Sequence, residues 1–205
     1  MTTLTTSAEI RLASRPTGIP TAANFTLATT TLPPLQDQQV LVRNLFMSVD
    51  PYMRGRMNEG NSYVPPFEIG HALEGGAIGE VVESRGNAFK PGDVVVSRYG
   101  WREAFVAAPN ELRAVDKAVQ PLSVHLGTLG MTGMAAWAGL TLLEVKAGDV
   151  IFISGAAGAV GNMAGQLAKL RGCRVIGSAG SAEKIRSLLD ECGFDAAFNY
   201  KTGQT

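Results

Sequence analysis

A short run of small residues in the second half of the chain has the composition of a phosphate-binding turn. Residues 155–161 are GAAGAVG and follow an apolar segment that ends abruptly. Glycines let a backbone turn tightly and approach a pyrophosphate, and the first amides of a following helix can donate to its oxygens. The sequence therefore predicts a dinucleotide site, although Ala156 replaces the first glycine of the usual fingerprint; a glycine-rich turn without a ligand is the alternative. The residues expected at the phosphates are Gly158, Ala159, Val160 and Gly161.

The residues after the next apolar segment indicate which dinucleotide would bind. An acidic side chain at this point would bind the ribose hydroxyls of NAD and repel a 2′-phosphate. Residues 177–181 are GSAGS and end in Gly180 and Ser181; the first acid is Glu183, and Lys184 follows. Small residues leave room, and a lysine supplies positive charge to a phosphate. We predict NADPH rather than NADH, the alternative being that Lys184 only decorates an exposed helix start.

Histidines and cysteines are too few and too scattered to predict a metal site. His71 and Glu74 lie close together, His125 is far along the chain, and no cysteine precedes Cys173. A catalytic zinc needs three protein ligands and a structural zinc usually four. We therefore predict no metal and interpret His71 as a turn or pocket residue. Cys173 and Cys192 are interpreted as packing residues of a protein from a reducing compartment.

A tyrosine next to a proline is the candidate for contact with a substrate. Residues 48–57 are SVDPYMRGRM and place Tyr52 and two arginines beside a turn fixed by Pro51. A phenol can hydrogen-bond a carbonyl oxygen, and aromatic rings commonly line clefts. Tyr52 is therefore the candidate substrate residue, with a half-buried structural turn as the alternative.

The first 124 residues have the pattern of a β domain. Short apolar runs are separated by glycine and proline, and the helical signal is almost absent. Many short strands at this spacing predict a compact β-barrel-like domain over residues 1–124. The expected strands are 40–45, 77–83, 94–96 and 104–107.

From residue 125 onward the pattern changes to alternating helices and strands. Residues 126–143 are rich in large apolar side chains and predict a buried helix. Residues 150–153 predict a strand buried on both faces. The helix after the glycines is expected to carry apolar residues on one side, namely Val160, Met163, Ala164, Leu167, Ala168 and Leu170. The later elements are a strand at 173–177, a helix at 182–192 and a strand at 196–200. This β-α-β-α-β unit over 125–205 is the first half of a dinucleotide-binding domain, so we interpret the chain as the N-terminal portion of a longer polypeptide.

Charge and hydropathy exclude several partner classes. Eighteen basic residues balance eighteen acidic ones, which provides no field to attract nucleic acid or an anionic membrane. The first residues lack the apolar core of a signal peptide, and no apolar run approaches the length of a membrane span. We therefore expect a cytoplasmic protein that binds neither nucleic acid nor membrane.

Four motifs in this order carry a family resemblance. They are VDPYMRGRM, LGTLGMTGMAAWAGL, ISGAAGAVGNMAGQLAKLRGCRVIGSAGSAEK and GFDAAFNYKT. The chain resembles, over nearly all its length, the zinc-independent medium-chain reductases of the prostaglandin reductase and curcumin reductase type. The resemblance implies a GroES-like β-barrel domain, followed here by the first half of a Rossmann domain. It also implies NADPH-dependent reduction of the carbon-carbon double bond of α,β-unsaturated ketones and aldehydes.

The resemblance also assigns roles to individual residues. It implies that residues 158–161 contact the pyrophosphate and that Lys184 contacts the 2′-phosphate. Tyr200 would lie on the adenosine side, Met131 and Thr132 at the nicotinamide end, and Tyr52 in the substrate pocket. The rest of the catalytic constellation would lie beyond Thr205, so residues 1–205 alone are expected to be inactive, and the full-length protein is expected to form a homodimer.

Three other functions stay open from the sequence. One is a quinone reductase on the same fold, and another is a protein that binds NADPH without catalysis. The third takes the 205 residues as complete, a β domain with half a nucleotide-binding unit that acts as an interaction module.

Overall fold

The computed structural model describes residues 4–60 and 64–202. The chain divides into two compact units, residues 1–126 and 127–205. The first unit contains seven strands, one short α-helix and three 3-10 turns among its described residues. Its strands are β1 (Thr6–Leu12), β2 (Phe25–Thr31), β3 (Val40–Met47), β4 (Ala77–Ser84), β5 (Val94–Ser97), β6 (Ala104–Ala107) and β7 (Arg113–Ala114). Its helix is α1 (Tyr52–Arg56), and its 3-10 turns are Ala22–Asn24, Pro109–Glu111 and Leu122–His125.

The strands of the first unit form two antiparallel sheets. Strands β1 and β2 pair with each other, and the other five follow the order β6-β3-β4-β5-β7. Isolated bridges, Glu9 with Arg102 and Arg11 with Ala72, tie β1 to the loops of the larger sheet. The sheet core consists of Val40, Val42, Val81, Val95, Phe105 and Ala107. The described strands do not close into one barrel, so the first unit differs in this respect from the expected β-barrel.

A short helix occupies the place where a proline-fixed turn was expected. Pro51 has φ −55° and ψ −32°, which is already helical backbone, and α1 continues from it. Met53 and Arg56, three residues apart, lie on the same face of this helix and are buried. The expected turn is therefore a five-residue helix, and the first unit has no other α-helix among its described residues.

The second unit alternates strands and helices as expected. Its elements are α2 (Met131–Leu142), β8 (Val150–Ile153), α3 (Ala159–Leu170), β9 (Arg174–Ala179), α4 (Ala182–Asp190) and β10 (Ala196–Asn199). The three strands are parallel and lie in the order β10-β9-β8. This is the first half of a doubly wound sheet. The predicted fold class, a GroES-like β domain followed by half a Rossmann domain, is confirmed.

Helix α3 packs mainly through small residues. Its buried residues are Gly165 and Ala168, and Phe194 from the loop before β10 fills the space beside Gly165. Leu167, on the predicted apolar side, lies against the core, whereas Val160 is 46% exposed and Leu170 is 84% exposed. A helix can approach a sheet most closely where its side chains are small.

Helix α2 also exposes the residues that were expected to be buried. Met131 and Trp137 are 81% and 52% exposed, whereas Gly133, Ala136 and Leu140 face the interior. Because this helix is apolar on all sides, its sequence periodicity could not indicate which face packs.

Strand β8 is buried on one face only. Ile151 and Ile153 pack against the core that holds Leu140 and Val175. Val150 and Phe152 point to the opposite face, where the Phe152 ring stacks on Phe198 with centroids 5.9 Å apart. That face of β8 is exposed among the described residues, so the prediction that β8 is buried on both faces is wrong for this chain. No helix in the described part of the chain is long and apolar enough to cross a membrane.

Candidate functional site

The glycine turn between β8 and α3 is held by backbone hydrogen bonds. Gly155 has φ +58°, a conformation that glycine adopts without strain. The Ala156 amide donates to the Ser178 carbonyl at 2.9 Å, which fastens the turn to β9. The Gly158 amide donates to the Gly155 carbonyl at 2.9 Å and closes the turn. Ala156 is fully buried, so it is a packing residue of the turn and its side chain is not available to a ligand.

The amides at the start of α3 are free to donate. The first amide that bonds back along the helix is that of Asn162, to the Gly158 carbonyl at 2.9 Å. Within residues 4–60 and 64–202, the amides of Ala159, Val160 and Gly161 have no acceptor, and no side chain caps the helix. Such amides, with the positive end of the helix dipole, form an anion site of the kind that binds a pyrophosphate.

At position 161 the neighbouring backbone leaves no room for a side chain, so glycine is required there. A Cβ at this position would lie 2.7 Å from the Gly155 carbonyl oxygen and 2.9 Å from the Ala156 Cα. A Cβ at Gly158 would lie 3.2 Å from the same oxygen, a milder conflict. The third glycine of the turn therefore lets α3 start close against the turn, which keeps the free amides near the carboxyl end of β8.

The carboxyl end of β9 has no acidic side chain. Residues 177–181 follow the predicted small-residue pattern, but their two serines are not equivalent. Ser178 is buried, and Ser181 is the N-cap of α4, its hydroxyl accepting from the Lys184 amide at 3.4 Å. The Ser181 hydroxyl therefore has a structural role. Lys184 lies in the first turn of α4, as the alternative interpretation supposed. Because α4 starts at the carboxyl end of β9, this residue is at the same edge of the sheet as the glycine turn.

Tyr200 lies close to Gly180. A Cβ built on Gly180 would be 3.1 Å from the Tyr200 hydroxyl oxygen. The structure thus brings together two residues expected to bind the cofactor, of which the resemblance placed Tyr200 on the adenosine side. It adds Lys201, which the sequence analysis did not single out although it follows Tyr200 directly.

The start of α2 is separate from the glycine turn. Met131 is exposed and Thr132 half-buried, and both follow Gly130, the N-cap of α2. A groove of about 490 Å³ runs between α2, β8 and α3 and is bordered by Gly155, Gly158 and Gly161. The residues of α2 that line this groove begin at Ala135, so Met131 and Thr132 do not line it.

Tyr52 is the first residue of α1 and is partly exposed. Burial raises the pKa of its phenol above the usual 10.0, and the negative charge of Asp50 raises it further. The positive charges of Arg56 and Arg98 act in the opposite direction. The phenol is therefore protonated at neutral pH and can donate a hydrogen bond.

The two arginines of α1 hold neighbouring loops. Arg54 donates from Nη2 to the Gly18 carbonyl at 2.8 Å and lies on the outside. Arg56 is buried: it donates from Nε to the Pro65 carbonyl at 2.8 Å and from Nη2 to Glu74 at 2.9 Å. Its guanidinium also stacks 4.1 Å from the centroid of Phe67. Both side chains thus fix the loops around Tyr52.

A polar cavity of about 1110 Å³ lies in the first unit, beside Arg56 and Glu74. His71 lines it, is largely exposed, and has Nδ1 3.4 Å from a carboxylate oxygen of Glu68. Burial and a hydrogen bond to Glu111 raise the pKa of Tyr99 in the same cavity to about 12. Among the described residues, no group of three or more histidine, cysteine or acidic side chains converges as a metal site would require. The absence of a metal in the protein stays a prediction.

Comparisons with known proteins agree with this architecture. Residues 8–115 match the family described as the N-terminal domain of oxidoreductase. Prostaglandin reductase 1 of Rattus norvegicus is 45% identical over 194 residues, covering 90% of this chain and 55% of the rat protein. The NADPH-dependent curcumin reductase of Escherichia coli (strain K12) is 40% identical over 190 residues, covering 92% of this chain and 55% of that protein.

A solved structure is also closely similar. CurA from Vibrio vulnificus, in complex with NADPH, superposes with a TM-score of 0.86 and 38% identity. The match covers 95% of this chain and 58% of that chain. The chain therefore spans a little more than half the length of the relatives it matches.

The chain belongs to the oxidoreductase family that this N-terminal domain defines. The family expected from the four sequence motifs, that of the prostaglandin and curcumin reductases, is confirmed.

Proposed function

We propose that the whole protein is an NADPH-dependent reductase of carbon-carbon double bonds conjugated to a ketone or aldehyde. The observation that carries this proposal is the glycine turn with three free amides, followed by a strand whose carboxyl end has lysine and no acid. Membership of the oxidoreductase family supports it, as does the similarity to proteins named prostaglandin reductase and NADPH-dependent curcumin reductase.

The residues of the second unit fit an NADP nucleotide. The amides of Ala159, Val160 and Gly161 would hold its pyrophosphate, and Gly158 would leave room for the close approach. Lys184 would pair with the 2′-phosphate, and the missing acid removes the repulsion that an NAD-specific enzyme would impose. Tyr200 would contact the adenosine side, and Met131 and Thr132 the nicotinamide end.

The bound cofactor and the residues of this chain would contribute different parts of the reaction. When bound, NADPH would supply the hydride that the β-carbon of the substrate accepts, and protonation of the α-carbon of the resulting enolate would complete the reduction. Tyr52, protonated at neutral pH, would donate a hydrogen bond to the carbonyl oxygen, where negative charge develops as the hydride arrives. Conjugation already activates the acceptor, so the proposed reaction requires no metal.

The remaining proposals concern the substrate class, the oligomeric state, the location and the domain roles of the protein. We propose a small-molecule enone or enal as substrate, a homodimer, and a cytoplasmic location, without nucleic acid as a partner. The first 124 residues would carry the substrate side and residues 125–205 the first half of the cofactor domain. The balanced charge and the two free thiols are compatible with these assignments.

The test is turnover by the whole protein. We expect NADPH-dependent loss of the absorbance of a simple enone, and weaker activity with NADH. Binding of NADPH without consumption of any enone in a panel would contradict the proposed activity and favour a binding protein. Faster turnover of quinones than of enones would favour a quinone reductase instead.

A further inference from the structure

A second lysine lies beside the proposed 2′-phosphate site. Strands β9 and β10 are parallel neighbours, and Asn199 is in register with Ala179 at their carboxyl ends. The Tyr200 amide donates to the Ala179 carbonyl at 3.3 Å, so the pairing continues past the end of β10. Lys201 is the next residue, and it therefore emerges next to Gly180.

The side chain of Lys201 lies over the backbone of Gly180. A Cβ on Gly180 would be 3.0 Å from Cε of Lys201 and 3.4 Å from its Nζ, and 3.1 Å from the Tyr200 hydroxyl oxygen. Gly180 does not have a positive φ, so its backbone conformation does not require glycine. A Cβ at this position would be in tight contact with the ends of the Lys201 and Tyr200 side chains, which therefore lie directly over Gly180.

The backbone of Lys201 is fixed, and its ammonium has no carboxylate partner in the described part of the chain. Its amide donates to Oδ1 of Asn199 at 3.0 Å, and the Thr202 amide donates to the Asn199 carbonyl at 3.3 Å, forming a tight turn. Among residues 4–60 and 64–202, no carboxylate lies within ion-pair distance of the Lys201 ammonium. Lys169, by contrast, is paired with Asp195 at 2.7 Å.

We propose that Lys201 is a second cationic residue for the 2′-phosphate, acting together with Lys184 and Tyr200. This inference rests on the proposed function. A phosphate monoester carries about −1.5 to −2 charges at neutral pH, so Lys184 alone would leave part of that charge uncompensated. A second ammonium at the carboxyl end of the adjacent strand supplies the missing charge and favours NADPH over NADH.

The test compares two adenosine nucleotides by isothermal titration of the full chain. Adenosine 2′,5′-bisphosphate carries the 2′-phosphate, and AMP lacks it. We expect Lys201→Gln to weaken binding of the bisphosphate about tenfold, a change worth about 1.4 kcal/mol, and to leave AMP binding unchanged. Lys201→Arg, which keeps the charge, should retain most of the affinity.

Lys146→Gln is the matched control. Lys146 is exposed and precedes β8, so it lies at the amino end of the sheet, away from the site, and its substitution removes the same charge. Equal bisphosphate affinity in wild type and Lys201→Gln, with a loss in Lys184→Gln, would overturn the role of Lys201 and leave the NADPH preference intact. Equal affinity of the wild type for the two nucleotides would overturn both. If Lys201→Gln and Lys146→Gln lowered the affinity for the bisphosphate equally, the effect would come from the net charge of the protein alone, and this result would also overturn the proposal.

Discussion

The substitution Gly165→Ala should destabilise the second unit although it places a better helix former inside a helix. A Cβ at Gly165 would lie 2.1 Å from Cζ of Phe194 and 2.3 Å from its Cε2. The ring is buried, and its other edge lies against β9, where a Cβ on Gly177 would be 2.9 Å from ring atoms. Phe194 is thus wedged between two glycines and has little space into which it can move.

Two opposing free-energy contributions set the magnitude. Alanine in place of glycine in a helix interior favours folding by about 0.8–1 kcal/mol. Overpacking a core usually costs about 1–3 kcal/mol, and a contact this short belongs to the upper part of that range. We therefore expect the free energy of unfolding to fall by about 1–2 kcal/mol.

The assay is urea denaturation of the full chain, followed by far-ultraviolet circular dichroism. The longer helices of the described residues, α2, α3 and α4, all belong to the second unit, so the helical signal reports on that unit. Gly139→Ala is the matched control. It lies inside α2 with nothing within 4 Å of its Cβ position, and it should stabilise by about 0.5–1 kcal/mol.

A double variant tests the cause of the effect. Phe194→Leu removes the ring atoms that the new Cβ would meet, so Gly165→Ala should cost less in that background, by about 1 kcal/mol. The reasoning is refuted if Gly165→Ala stabilises as Gly139→Ala does, or if the two substitutions are additive.

Three further predictions concern the site and its support. Tyr52→Phe should lower kcat for enone reduction by the whole protein about 100-fold while leaving NADPH affinity unchanged; an unaltered kcat would remove Tyr52 from the mechanism. Gly161→Ala should weaken NADPH binding about tenfold in a fluorescence titration and Gly158→Ala less, because only the former pushes α3 against the turn; the reverse order would contradict the assigned geometry. Asp195→Asn should lower the urea midpoint at neutral pH. The hydrogen bond from Lys169, and next that from the Val175 amide, lowers the pKa of this carboxylate below 3.8. Its stabilising effect is therefore present above pH 3.8 and is lost as the pH falls through the lower folded-state pKa, so the difference between variant and wild type should shrink in acid.

The bounds of most elements follow directly from local sequence. The predicted strand at 150–153 coincides with β8, and the glycine turn at 155–161 joins it to a helix as expected. These features depend on contacts between residues close in sequence, on apolar periodicity and on the special backbone of glycine, all of which a single sequence displays. The absence of an acid after β9 is visible in the same way.

Which helix face is buried could not be read from the sequence. Helix α2 is apolar on all sides, so hydrophobicity predicted burial for Met131 and Trp137, both of which are exposed. The faces that pack carry glycine and alanine instead, because close approach of a helix to its neighbours depends on the shape of both surfaces.

The sequence by itself determined the fold class and predicted a phosphate-binding turn and a preference for a 2′-phosphate, because each is encoded in a short run of residues. Only the tertiary structure decided that Phe194 requires Gly165 and Gly177, and that Lys201 lies beside Gly180. Gly180 and Lys201 follow the carboxyl ends of neighbouring strands, β9 and β10, which helix α4 separates in sequence. Their proximity is a consequence of parallel pairing in register, which no local pattern records.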